Sequence, residues 1–179
     1  MKDRLKEILR EVSLEFGDFV LASGKRSSYY IDARMTSLHP EGLYLLSSLL
    51  LEEIMKIKNI EAVGGMSIGA DPIVSGIIVM SQLKGTPLKG FLVRKEKKAH
   101  GRGKRIEGWI KEGARVVLVE DVVTTGGSLL KAAEAVEEEG GIIKHCFAVI
   151  DRGGGKEISS KYPFSSLFKI DEILEGKNG

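Results

Sequence analysis

Residues 115–128, RVVLVEDVVTTGGS, constrain this chain more than any other stretch. Val116, Val117, Leu118 and Val119 form a continuous run of apolar β-formers, the pattern of a strand buried on both faces of a parallel sheet. Glu120 and Asp121 follow where such a strand is expected to end. Thr124, Thr125, Gly126, Gly127 and Ser128 then lead into a helix-period segment, residues 129–139, closed by Gly140. A strand, a glycine-containing turn and a helix N-terminus leave several backbone N–H groups unpaired and converging, a geometry that binds phosphate. The hydroxyls of Thr125 and Ser128 add donors. The two acids would repel a phosphate, but they suit the hydroxyls of a neutral polyol beside it. A phosphate next to a diol describes a ribose 5-phosphate. Helix capping alone would need one acid and no hydroxyl cluster. The chain contains neither GxxxxGK[ST] nor GxGxxG, so P-loop and dinucleotide-binding readings lose their main support.

The rest of the chain supplies a frame for this unit. Leu5, Ile8, Leu9 and Val12 recur at helical spacing and predict an amphipathic helix from residue 2 to about 15. Residues 19–22 and 29–32 read as two short strands around a polar turn, a flap over the sheet's edge. Pro40 marks a helix start before the leucine-rich residues 43–56. A strand at residues 60–64 precedes a second glycine loop, residues 65–70, with Asp71 and Pro72 read as N-cap and first residue of a helix ending near Gly85. That loop is a second, weaker candidate anion site. Residues 88–94, 116–120 and 142–150 are further strands, and the tail after Asp151 is legible only coarsely. Alternating strands and helices imply right-handed crossovers and an α/β fold with a doubly wound, mainly parallel sheet. In such sheets ligands bind at the carboxyl ends of the strands. Residues 67–71, Arg94, residues 120–128 and the pair Asp151-Arg152 all fall on that edge.

Composition narrows the class. With 179 residues, 42% hydrophobic and 29% charged, one globular domain with a full core is expected, covering 1–179, with residues 1 to about 35 as an N-terminal hood. A net charge of +2 is too small to imply nucleic-acid binding. The single cysteine, Cys146, excludes an intrachain disulfide; its apolar surroundings predict an inert buried thiol. The first residues are too charged for a signal peptide, and no apolar run nears membrane-spanning length, so a cytoplasmic location is expected.

Residues 94–105, RKEKKAHGRGKR, carry seven Arg or Lys, one histidine and a single acid. A solvated loop or a nucleic-acid patch would share that charge, yet no aromatic residue is present for base stacking. The glycines at 101 and 103 suit a loop that folds over a polyanion and excludes water. A diphosphate fits beside a ribose phosphate, and as a leaving group it gains charge that preplaced cations stabilise. His100 alone would pass for an ordinary loop residue, and Arg152 alone for a surface arginine.

The residues 120–128 with their flanking strand resemble the phosphoribosyl diphosphate (PRPP) signature of the type I phosphoribosyltransferases. The order SGKRSSYYID, RKEKKAHG, VEDVVTTGGS and DR is similar to the orotate phosphoribosyltransferase family along nearly the whole chain. The resemblance implies several roles. Arg94, Lys95, Lys98 and His100 contact the diphosphate, the loop reaching into the neighbouring subunit's site of a homodimer. Glu120, Asp121, Val122, Val123, Thr124, Thr125, Gly126, Gly127 and Ser128 hold the ribose 5-phosphate. Thr124 and Arg152 contact orotate, whose carboxylate a strand-end guanidinium can grip through two bonds. The catalytic set is Lys98, His100, Glu120 and Asp121. Mg²⁺ is the expected cofactor, held mainly by PRPP and not directly by protein side chains. Two departures stand out: Ala22 and Gly69 occupy positions where many members carry lysine.

Two other readings stay open on residues alone. A PRPP-binding regulator without catalysis would need a nucleic-acid-binding element, and no helix-turn-helix precedes the sheet. A phosphoribosyltransferase for another base would share the same signature.

Overall fold

The computed structural model describes residues 1–20, 24, 26–96 and 105–175. Its centre is a six-stranded sheet in the order β5-β4-β3-β6-β7-β8. The strands are β3 (Ala62–Met66), β4 (Lys89–Val93), β5 (Ile106–Gly108), β6 (Arg115–Val123), β7 (Ile142–Asp151) and β8 (Phe164–Lys169). All neighbours pair in parallel except the short edge strand β5, which runs antiparallel to β4. Strands β1 (Leu14–Val20) and β2 (Arg26–Ile31) form a separate antiparallel hairpin.

The apolar run of β6 explains the layering. Successive side chains of a strand point to opposite faces. Val117 and Val119 accordingly join the core packed under helices α1 (Lys2–Ile8), α3 (Pro40–Ile54) and α4 (Asp71–Leu83). Val116 and Leu118 join a second core with Leu129, Ala132, Ala133 and Val136 of α5 (Gly127–Glu138). All four residues of the run are fully buried, so one sequence segment anchors helices on both faces. Cys146 lies in the second core, where burial pushes its thiol up to about 12 and leaves it unreactive at neutral pH.

Several boundaries differ from the periodicity reading. The first helix gives way to a π-helical segment at Leu9–Ser13, and β1 begins at Leu14, because Leu14 and Ile31 pair across the hairpin and both are buried. The strand predicted at 60–64 begins two residues later. Asp71 is not the N-cap: Ala70 holds that position, and the Asp71 carboxylate accepts a 2.6 Å bond from the Ser67 hydroxyl. The tail contains α6 (Gly155–Ser159), β8 and α7 (Ile170–Leu174), which its glycine-rich, mixed composition concealed. A short helix α2 (Arg34–Ser37) joins the hairpin to α3.

The correction with most consequence concerns β6. The two acids do not end the strand; it continues through them to Val123, because Val122 and Val123 pair with Ile150 and Asp151 of the longer β7. Glu120 and Asp121 therefore belong to a strand that continues past them.

Candidate active site

The carboxyl ends of β3, β6 and β7 and the start of α2 enclose a cavity of about 350 Å³. Glu120, Asp121, Val122, Thr124 and Ser128 line it from β6 and the following turn, and Arg152 from just beyond β7. Lys95 comes from the loop after β4, and Ser67 to Gly69 from the loop after β3. Beside it, the turn itself encloses a smaller hollow of about 100 Å³, lined by Val123, Thr125, Gly126, Gly127 and Leu129 together with Glu120, Val122, Thr124 and Ser128.

The turn is built to present donors. Gly126 sits at φ +83° in the left-handed region, the conformation that swings the chain from β6 into α5 and that a Cβ would strain. The first bond of the helix ladder runs from Leu130 N–H to the Gly126 carbonyl at 3.0 Å. The N–H groups of Ser128 and Leu129 thus precede the ladder, while that of Gly127 reaches Thr125 Oγ1 at 3.4 Å. With the positive end of the α5 dipole behind them, they favour an anion.

The two acids differ in environment. Asp121 accepts a 2.7 Å bond from the Val122 N–H and lies against Gly69. A Cβ on residue 69 would stand 2.8 Å from the Asp121 carboxylate oxygens, so any side chain there would require that carboxylate to shift. Gly69 is more than a missing lysine: a longer side chain there would have to displace Asp121. Glu120 is 7% exposed, and its Oε2 has no hydrogen-bond partner among the described residues. Burial, and then the charge of Asp121, push the Glu120 carboxyl up to about 9, against a small opposing pull from Lys95. At neutral pH Glu120 therefore keeps its proton.

The remaining predicted residues divide. Arg94 does not face the cavity; its Nε donates to Glu107 Oε1 at 2.9 Å, and its N–H meets the Arg105 carbonyl at 2.8 Å, closing the stem of the basic loop. Lys98 and His100 lie outside the described residues, as does Ala22. Arg152 is held by its backbone, which donates to the Val123 carbonyl at 2.8 Å, and its guanidinium lies 4.9 Å from the centre of the Tyr29 ring. Its neighbour Asp151 faces away, accepting from the N–H groups of Gly153 and Gly155 and from the Lys169 ammonium. Burial alone would raise that carboxyl, but Lys169 and the two N–H groups hold it below its usual value.

Two lining residues escaped sequence reasoning. Asp32 and Arg34 form a two-pronged ion pair at the cavity lip, Nε to Oδ1 at 2.9 Å and Nη2 to Oδ2 at 2.8 Å. The Arg34 guanidinium holds the Asp32 carboxyl below the usual range. The Asp-x-Arg spacing at the end of β2 was the available signal.

Residues 77–176 match the family described as phosphoribosyl transferase domain. Orotate phosphoribosyltransferase of Methanopyrus kandleri is 47% identical, covering 96% of this chain and 91% of its relative. The protein of that name from Aquifex aeolicus is 43% identical with 97% of each covered. Among solved structures, Mycobacterium tuberculosis orotate phosphoribosyltransferase in complex with PRPP superposes with a TM-score of 0.81 at 30% identity, covering 97% of this chain and 98% of that one.

Proposed function

The chain belongs to the orotate phosphoribosyltransferases, and on that premise we propose how its residues share the reaction. The enzyme transfers the 5-phosphoribosyl group of PRPP to orotate, giving orotidine 5′-monophosphate and diphosphate in pyrimidine biosynthesis. The observation that carries the assignment of roles is the meeting of Glu120, Asp121, Thr124, Ser128, Lys95 and Arg152 around one cavity.

In this reading the turn at 124–128 receives the 5-phosphate on its N–H groups and hydroxyls. Glu120 and Asp121 accept hydrogen bonds from the ribose hydroxyls, which supply the partner that Glu120 Oε2 lacks. Lys95, with Lys98 and His100 from the basic loop, meets the diphosphate. Arg152 and Thr124 meet orotate, the guanidinium gripping its carboxylate. The anomeric carbon inverts as its bond to the diphosphate breaks and a bond to the base forms. No covalent nucleophile takes part, so rate comes from positioning and from stabilising the leaving group. The first 35 residues serve as a hood, because Tyr30, Ile31 and Asp32 of the hairpin line the same cavity.

Mg²⁺ is the cofactor in this reading. Glu120 and Asp121 are hard oxygen donors, and no third acid, histidine or cysteine joins them among the described residues. Such an ion would be held mainly by PRPP beside these two acids and, when bound, would neutralise charge on the diphosphate.

One surface supports the reading of a homodimer with shared sites. Leu38, Tyr44, Ile68 and Val79 are all more than half exposed. They border two adjoining hollows, of about 310 and 320 Å³, that meet at Ser75 and reach the cavity lip at Arg34 and Ile68. An apolar face of this kind, continuous with a site, is what a second copy would cover. Val79→Asp should then shift the protein to monomers in analytical ultracentrifugation; an unchanged sedimentation coefficient would remove this face from the interface. No helix among the described residues is long and apolar enough to cross a membrane; a cytoplasmic setting is part of this proposal.

The decisive assay mixes the protein, Mg²⁺ and PRPP with each nucleobase in turn and follows ultraviolet absorbance. Turnover is expected with orotate, and turnover with a purine alone would overturn the assignment.

A further inference from the structure

We propose that Tyr29 is a positioning residue for Arg152 and thereby sets the affinity for the carboxylate-bearing base. The Arg152 guanidinium lies over the Tyr29 ring, 4.9 Å from its centre. The carboxylate next to it in sequence, Asp151, is fully committed to Lys169 and the N–H groups of Gly153 and Gly155. Asp32, also at the cavity, is taken by Arg34. Among the described residues the Arg152 side chain makes neither ion pair nor hydrogen bond.

This mode of restraint has a chemical consequence. An ion pair would orient a guanidinium by consuming the fork of N–H donors that a ligand needs. An aromatic ring holds the cation by its flat face and leaves that fork at the planar edge free. Tyr29 is itself well placed to act as a fixed surface. It is half-buried against the helix-side core, sits opposite Phe16 in the hairpin, and both its N–H and carbonyl engage the Ser27 hydroxyl. The ring ties the hood to the end of β7 and keeps Arg152 turned toward the cavity it lines.

The inference rests on the reading that Arg152 meets the orotate carboxylate, and the test separates the two. Steady-state constants are measured for Tyr29→Leu, Tyr29→Phe, Arg152→Ala and the Tyr29→Leu/Arg152→Ala double variant. Arg152→Ala should raise the orotate KM by about 10- to 100-fold, the range of a lost charge-assisted pair, with the PRPP KM little changed. Tyr29→Leu should raise the orotate KM by roughly 3- to 30-fold, the span of a cation–π contact, with kcat and the PRPP KM within twofold. Tyr29→Phe, which keeps the ring, should match the parent. The double variant should be no worse than Arg152→Ala alone. A raised KM in Arg152→Ala with none in Tyr29→Leu overturns the positioning role alone. An unchanged orotate KM in Arg152→Ala removes the underlying reading. Equal rises in both KM values for Tyr29→Leu would mark a merely structural residue and overturn the proposal. Should leucine unsettle the hairpin, Tyr29→Met, closer in volume, is read by the same criteria.

Discussion

Replacing Glu120 with glutamine should give a protein that melts higher and turns over more slowly. The Glu120 carboxyl is raised from its ordinary 4.5 to about 9 by burial and by Asp121. Between those values the folded protein keeps a proton that the unfolded chain gives up. Stability therefore falls as pH rises through this window, by about 1.4 kcal/mol per pH unit at most, and levels off above the folded value. At pH 7 the cost is on the order of 3 kcal/mol, and glutamine, neutral in both states, does not incur it. For a chain of this size that corresponds to a rise in Tm of roughly 5–10 °C. The gap between parent and variant should close as pH is lowered toward 4.5. Parallel melting curves across pH would show that Glu120 ionises normally. The same variant puts an amide NH2 donor where the ribose hydroxyls need a carboxyl oxygen, so kcat/KM for PRPP should drop by about 10- to 100-fold. A group that costs stability when the site is empty and helps when it is filled is a common arrangement in catalytic sites.

Lys98→Ala and His100→Ala should each lower kcat by about 100- to 1,000-fold, the range seen when one donor to a developing charge is removed. PRPP binding should weaken far less. The reasoning is that negative charge on the diphosphate grows as its bond to the anomeric carbon breaks, so a cation placed there favours the transition state over bound substrate. The two residues lie outside the described portion of the chain, between Lys95 and Arg105. Arg94 and Arg105 pair through their backbones, Arg105 also donates to the Lys131 carbonyl on α5, and Lys95 already lines the cavity. Isothermal titration with PRPP alongside single-turnover kinetics separates the two effects. Equal losses in binding and turnover would remove both residues from transition-state stabilisation.

Arg94 illustrates what charge patterning leaves undecided. In sequence it is one of seven cations in the basic segment, equivalent to Lys95 beside it. In the fold it follows β4, whose partner, the edge strand β5, carries Glu107, and the ion pair turns it away from the cavity. Asp32 and Arg34 show the converse. Their Asp-x-Arg spacing alone did not place them at the site; the hairpin does so by bringing the end of β2 to the cavity that Asp121 and Gly69 also line.

What the sequence by itself determined was the mainly parallel sheet, the succession β3, α4, β4, β6, α5, β7 at its centre, and the glycine turn after β6. These depend on local patterns: an unbroken apolar run, a glycine in a left-handed turn, hydroxyls at a helix start. Tertiary structure alone decided that β6 runs on past Glu120 and Asp121, that Glu120 is buried without a partner, and that Tyr29 faces Arg152. Each of those depends on what a distant segment brings alongside: the longer β7 that extends the pairing, the desolvation that raises a carboxyl, the hairpin laid over the sheet's end. Burial and long-range pairing are properties of the packed molecule, and no periodicity along the chain encodes them.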